Sequence, residues 1–211
     1  MFNPRFLVIS LGNPAPYVGT LHSVGHLAVA SLQKILSPEQ PPFASERHGK
    51  KSVLASAGPK YTLLQSPTLM NISGPWVAKA WKEMLANRGL APADLSLVLV
   101  HDDLEEDLGV VKIRQWSRSH RGHNGVKSVN SSLLPKDYND PRWSRISVGI
   151  GRPEGRDRTT VSDYVLREMT KWEKSVIEDK ATPAVLDALL ELERKWERES
   201  EEAGGEEKRQ R

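Results

Sequence analysis

The segment Leu95-Ser96-Leu97-Val98-Leu99-Val100 is apolar apart from one serine. A strand with one face in water alternates apolar and polar residues; this one does not, so it needs cover on both faces. The arrangement that supplies such cover is a sheet with helices on either side. Phe6-Leu7-Val8-Ile9-Ser10-Leu11 is a second run of the same kind, stopped by Gly12-Asn13-Pro14. Helical stripes lie between and after such runs. Val24, Leu27, Ala28, Leu32 and Ile35 form one, Val77, Ala80, Trp81 and Met84 another, and Val185, Leu189, Leu192 and Trp196 a third. Strands alternating with helices predict an α/β fold: a single-domain three-layer sandwich with a twisted mixed β-sheet flanked by helices. The 211 residues, 38% of them hydrophobic, suffice for one such core.

Further strands are expected over 52–57 and 61–65 around Gly58-Pro59, over 110–114 and over 144–150. Residues 37–50, rich in Pro and polar residues, read as a loop. Ser73 reads as an N-cap with Pro75 in the first turn, and Gly89 as the C-terminal stop of that helix. Gly122-His123-Asn124-Gly125 opens a helix with Val126, Val129 and Leu133 inward. Thr170-x-x-Glu173 fits a capping box, and Thr182-Pro183 an N-cap followed by proline at the first helical position. The domain is expected to span 1–196. Residues 197–211 hold six Glu, four Lys or Arg and a glycine pair, which predicts a charged, disordered tail.

Composition narrows the chemistry. With no cysteine, disulfides, thiolate catalysis and cysteine-held metals are excluded. No apolar run approaches the roughly 20 residues of a membrane helix, so no membrane association is expected. Only Met1–Arg5 precede the first strand, too few for a targeting peptide. A cytoplasmic site of action is therefore expected, with the mitochondrion as the alternative. Asn71-Ile72-Ser73 and Asn130-Ser131-Ser132 match a glycosylation sequon that has no secretory context to act in. The net charge is +3, and its distribution says more than its size. Five acids crowd into 102–107 (DDLEED); Lys112, Arg114, Arg118, Arg121 and Lys127 follow with no acid between them. Arg142, Arg145, Arg152, Arg156 and Arg158 form a second basic stretch.

Chemistry-bearing residues gather at predicted strand and helix ends. His22 lies at the start of a helix, where the dipole disfavours imidazolium, so a lowered pKa is expected. A neutral imidazole can act as a general base if a carboxylate orients it. His101-Asp102-Asp103 supplies two candidates where a central strand emerges, and the residues alone do not choose between them. Asn13, Asn71 and Asn124 offer amides that hold a carbonyl or a developing oxyanion without adding charge.

Four motifs in order, Gly12-Asn13-Pro14-x-x-Tyr17-x-x-Thr20-x-His22, Met70-Asn71-Ile72-Ser73-Gly74, His101-Asp102-Asp103 and Gly122-His123-Asn124-Gly125, resemble the bacterial-type peptidyl-tRNA hydrolase family. The resemblance implies a metal-independent and cofactor-free esterase that cleaves peptidyl-tRNA, acts as a monomer and recycles tRNA. It makes His22 the base and Asp102 its orienter. Asn13 and Asn71 would grip the peptide and the scissile carbonyl, and Asn124 would position water. Tyr17, Met70 and His123 would line the cleft, and Arg114 and Arg145 would meet tRNA phosphates. Three positions depart from the family pattern. Leu21 and Ser23 replace the usual Arg and Asn around His22, removing a charge and an amide donor expected near the site. Arg121 stands where a second glycine is usual.

Other classes leave weaker traces. His22 and His26, His120 and His123, and His101-Asp102-Asp103 have spacings that suit zinc ligands, but no HExxH pattern is present. Gly122–Ser128 echoes a P-loop with Val126 where glycine is required. An inactive RNA-binding relative of the same fold is the alternative from a different class.

Overall fold

The computed structural model describes residues 5–48 and 51–209. Its sheet has seven strands: β1 Phe6–Ser10, β2 Ala44–His48, β3 Lys51–Ala57, β4 Tyr61–Gln65, β5 Ser96–Asp103, β6 Val111–Gln115 and β7 Trp143–Gly149. Their order is β2-β3-β4-β1-β5-β7-β6. The central strands β4, β1, β5 and β7 run parallel, and the edges are antiparallel.

Alternation along the strands divides the core. Phe6, Val8, Val98, Val100, Ile146 and Val148 face one layer, which holds α1 (Val24–Ile35), α4 (Arg158–Leu166), α5 (Lys171–Val176) and α6 (Thr182–Arg209). Leu7, Ile9, Leu97 and Leu99 face the other, against α2 (Ser73–Arg88) and α3 (Asn124–Ser132). Both faces of β1 and β5 are covered, so their unbroken apolar runs are fully buried. This is the three-layer mixed-sheet sandwich expected of the sequence.

Several local expectations are corrected. Residues 44–48, read as loop, form the edge strand β2 against β3. Its Ala-Ser-Glu-Arg-His sequence carries no apolar alternation, because an edge strand is held by its ladder rather than by burial. Ser73 is the first residue of α2 rather than its cap; a 3-10 turn over Met70–Ile72 precedes it, and Ser73 Oγ donates back to the Met70 carbonyl at 3.0 Å. Thr182 is likewise the first residue of α6 rather than its N-cap. A π-helical stretch, Ile177–Ala181, joins α5 to α6, and Thr182 Oγ1 donates to the Ile177 carbonyl at 2.9 Å. The capping box of Thr170 and Glu173 is present, as is the left-handed stop at Gly89.

The C-terminal segment also differs from expectation: α6 continues to Arg209 instead of losing order at 197. Trp196 is the last core residue among those whose side chains are described. Glu, Lys and Arg are good helix formers whatever their solubility, and Lys195–Glu199 is an i,i+4 ion pair at 3.7 Å. Arg142 also donates to Ser200 Oγ at 2.6 Å, fastening the first turn beyond Trp196 to the body.

Candidate active site

β1 pairs with β4 on one side and β5 on the other, so the chain reverses its winding at β1. In open α/β sheets the crevice beyond the carboxyl ends of such strands is where ligands bind. Asn13 follows β1, Met70 and Asn71 follow β4, and Asp102 closes β5. All four line a cleft of about 1250 Å³ with Tyr17, His22, His123 and Asn124. Every residue expected at the peptide end of the site is therefore brought together.

His22 sits in a 3-10 turn, Leu21–Ser23, that leads into α1. Gly25 lets this helix start press on the sheet: a Cβ there would lie 2.6 Å from the Val100 carbonyl oxygen and 2.8 Å from that of Leu11. The close approach brings His22 Nδ1 to 2.9 Å from Asp102 Oδ1. Pleating settles the choice between the two aspartates. Asp102 shares the face of Val98 and Val100, beneath α1; Asp103 points the other way, and its Oδ2 accepts from Arg114 at 3.0 Å.

The same Asp102 oxygen accepts from His123 Nε2 at 2.8 Å. His123 is the N-cap of α3, and its Nδ1 accepts from the Val126 N–H at 3.2 Å. Both of its nitrogens are thus occupied. An ionised carboxylate only accepts, so His22 must carry its proton on Nδ1. Its Nε2 has no partner among the described residues, and His22 lines the cleft; the other unpartnered imidazole nitrogen, His101 Nε2, is buried. His101, not singled out as a site residue by the sequence, donates from Nδ1 to the Asp102 carbonyl at 2.7 Å and packs edge-on against His123. Burial holds it down to about 3, with the neighbouring His123 adding to the depression, so it stays neutral.

The electrostatics reverse one expectation. Burial alone would lower the His22 pKa, but the charge and hydrogen bond of Asp102 outweigh it, and the net shift is upward. A carboxylate at contact distance exceeds the partial charge of a helix end. Asp102 responds in kind: burial would raise it, yet the two imidazoles hold it far below the usual carboxylate range.

The amides are held unequally. Asn13 is buried, with Oδ1 accepting from the Met70 N–H at 2.8 Å, which leaves its Nδ2 donor unpartnered among the described residues. Asn71 and Asn124 are exposed at the starts of a 3-10 turn and of α3. Tyr17 is 39% exposed at the mouth, and Met70 is buried below it.

Arg114 and Arg145, the cations expected to meet phosphate, both line the cleft and are held by other groups. Arg114 is engaged by Asp103, by Glu106 at 2.6 Å and by Ser147 at 3.2 Å. Arg145 is only 2% exposed; its Nη2 donates to the carbonyls of Gln115 and Arg118, and its Nε has no partner. Burial depresses it to about 10, with Arg114 adding to the effect, so it remains charged at neutral pH. The acidic run folds onto the basic one: Glu106 also meets Lys112 at 2.6 Å, and Glu105 meets Arg152 at 2.6 Å. Arg118, Arg156 and Arg158 line the cleft with no ion-pair partner among the described residues.

The three departures from the family pattern sit at different depths. Leu21 is fully buried in the core. Ser23 is buried beneath the loop that follows β1. Arg121 takes a left-handed backbone (φ 47°), which explains a preference for glycine, and lies 3.8 Å from Asp103 and 3.7 Å from Glu106. The candidate zinc pair of His22 and His26 does not form, because His26 Nδ1 is hydrogen-bonded to Ser10 Oγ at 2.8 Å. The donors that do converge are His22, Asp102 and His123, all within 4.8 Å of one another.

An α/β protein whose switch-point cleft holds an imidazole backed by a buried carboxylate and faced by neutral amides has the groups a hydrolase uses. Comparison with known proteins gives the family. The model of the peptidyl-tRNA hydrolase family matches residues 7–210. Peptidyl-tRNA hydrolase 1 of Corynebacterium jeikeium is 38% identical over 82% of this chain and 83% of its own length. A probable peptidyl-tRNA hydrolase of Schizosaccharomyces pombe is 36% identical over 82% of this chain and 75% of its own. A crystal structure of a variant Acinetobacter baumannii peptidyl-tRNA hydrolase superposes with a TM-score of 0.63 at 26% identity, covering 85% of this chain and 83% of that one. This chain belongs to the peptidyl-tRNA hydrolase family.

Proposed function

We propose that this protein hydrolyses the ester joining an N-blocked peptide to the 3′ end of tRNA, releasing both for reuse, and that His22 is the general base. The observation that carries the reading is the His22 hydrogen bond to Asp102 through Nδ1, which leaves Nε2 open to the cleft. His22 Nε2 takes a proton from water while the water oxygen attacks the ester carbonyl. Asp102 stabilises the imidazolium that forms. The Nδ2 donor of Asn13, with Asn71, grips the peptide and the scissile carbonyl, and Asn124 holds the water. Collapse breaks the carbon–oxygen bond, and the departing tRNA oxygen takes its proton back from His22. An ester needs no redox partner.

Phosphate attraction is assigned chiefly to Arg118, Arg156 and Arg158, the cleft cations without carboxylate partners. Arg145 orders the 115–118 backbone, and Arg114 is shared with Asp103 and Glu106. Among the described residues no helix is long and apolar enough to cross a membrane. We read the protein as a cytoplasmic monomer.

The gathering of His22, Asp102 and the three asparagines in one cleft favours the enzyme over the inactive relative. The convergence of His22, Asp102 and His123 keeps a metal reading testable. The experiment is single-turnover hydrolysis of N-acylated and of free aminoacyl-tRNA by wild type and His22→Ala, each with and without EDTA. The N-acylated substrate is cleaved selectively, EDTA leaves the rate unchanged, and the variant loses roughly 10²–10⁴-fold. No cleavage by folded wild type that binds the tRNA would return the inactive-relative reading, and EDTA inhibition reversed by zinc would return the metal one.

A further inference from the structure

The turn that delivers His22 to the cleft presents two other polar side chains to the loop after β1. Ser23 is fully buried. Its Oγ accepts from the Asn13 N–H at 2.9 Å and donates to the Tyr17 carbonyl at 2.8 Å, pinning both ends of the 13–17 loop. One turn further on, His26 is 5% exposed with Nδ1 on Ser10 Oγ. Its ring lies flat beneath Gly12: a Cβ at that glycine would fall 2.5 Å from both Cδ2 and Nε2. The backbone entering Asn13 thus rests on the imidazole face. Burial depresses His26 to about 4, so the support is uncharged at neutral pH. Asn13 in turn uses its Oδ1 on the Met70 N–H, which fixes where its remaining donor points.

We propose that Ser23 and His26 are positioning residues that hold Asn13 against Met70, so that one helix start sets both the base and the amide that receives the peptide. The geometric part stands without the activity; the kinetic part rests on the proposed function. A 1 Å displacement of a positioning group can cost on the order of 10²-fold. Ser23→Ala removes one oxygen with little change in volume, and His26→Ala removes the shelf under Gly12.

The test has two readouts. Amide hydrogen exchange at Met70 reports the bond from Asn13 without any substrate, and steady-state kinetics on N-acylated aminoacyl-tRNA report KM and kcat. Ser23→Ala is expected to speed Met70 exchange and to raise KM on the order of tenfold, with a smaller change in kcat. That KM effect should vanish in an Asn13→Ala background, the non-additivity expected of coupled groups. His26→Ala should behave likewise, and if it fails to fold, Ser23→Ala alone decides. Unchanged Met70 exchange overturns the proposal even if wild type proves inactive on this substrate. A KM effect that persists undiminished in the Asn13→Ala background also overturns it.

Discussion

Asp102 and Asp103 are consecutive on β5 and meet different chemistry. Asp102 lies between two imidazoles, 3% exposed, at the imidazole end of the cleft. Asp103 lies among guanidinium groups, 7% exposed, at the basic end. The two carboxylates start alike and differ only in which face of one strand they occupy. At the imidazole end the carboxylate raises the His22 pKa, so it biases a titration. At the guanidinium end the partners are permanently charged, so the carboxylate only tempers a field. One pleat step thus separates a carboxylate bonded to imidazoles from one bonded to arginine.

The largest effect is expected from exchanging charge for amide at each aspartate. Asp102→Asn removes the bias on His22 and should lower kcat on the order of 10²-fold or more. Asp103→Asn leaves Arg114 with Glu106 and should stay within about fivefold of wild type, the scale of a single weak ion pair. Single-turnover rates of the two variants check this, and equal losses would erase the distinction between the two ends.

An intermediate effect is expected at the basic end. Arg118→Ala, Arg156→Ala and Arg158→Ala should each weaken tRNA binding and reduce its log–log salt slope by about one unit for each phosphate no longer neutralised, with kcat nearly unchanged. Binding titrations across salt concentrations would show it; slopes identical to wild type in all three would move the phosphate contacts elsewhere.

The smallest effect belongs to neither end. Thr170 Oγ1 accepts from the Glu173 N–H at 3.2 Å at the start of α5. Thr170→Ala should cost about 1 kcal/mol of stability, or a melting temperature lower by about 2–4 °C, without altering turnover. An accompanying loss of activity would show that α5 reaches into the cleft.

Much of this arrangement is legible in the sequence because local rules govern it. The unbroken apolar runs of β1 and β5 demand cover on both faces, and the motif residues fall at strand and helix ends that the sheet then gathers. What the sequence hides depends on partners distant along the chain. β2 carries no apolar pattern because its neighbour β3 holds it. The helix end near His22 argues for a lowered pKa, and it rises because Asp102, eighty positions away, comes to 2.9 Å. Arg145 has the look of a surface cation, yet it is buried beneath the 115–118 backbone. The helix through 197–209 is hidden because dense charge suggests disorder, while the same residues favour helix. Ser23 stands out as a departure from the family pattern; only the fold shows it beneath Asn13 rather than facing substrate.

The central claim is that Asp102 fixes His22 as the Nδ1–H tautomer and holds its proton more tightly than an unperturbed histidine. Stability linked to this shift is present below the unfolded pKa and lost as pH rises through the folded one, whereas a base must be neutral, so activity falls as pH drops through that same raised value. An NMR titration of the His22 ring nitrogens measures both tautomer and midpoint. The account predicts a proton on Nδ1 in the neutral form and a midpoint above 6.5. A neutral ring protonated on Nε2, or a midpoint at or below 6.5, would contradict it.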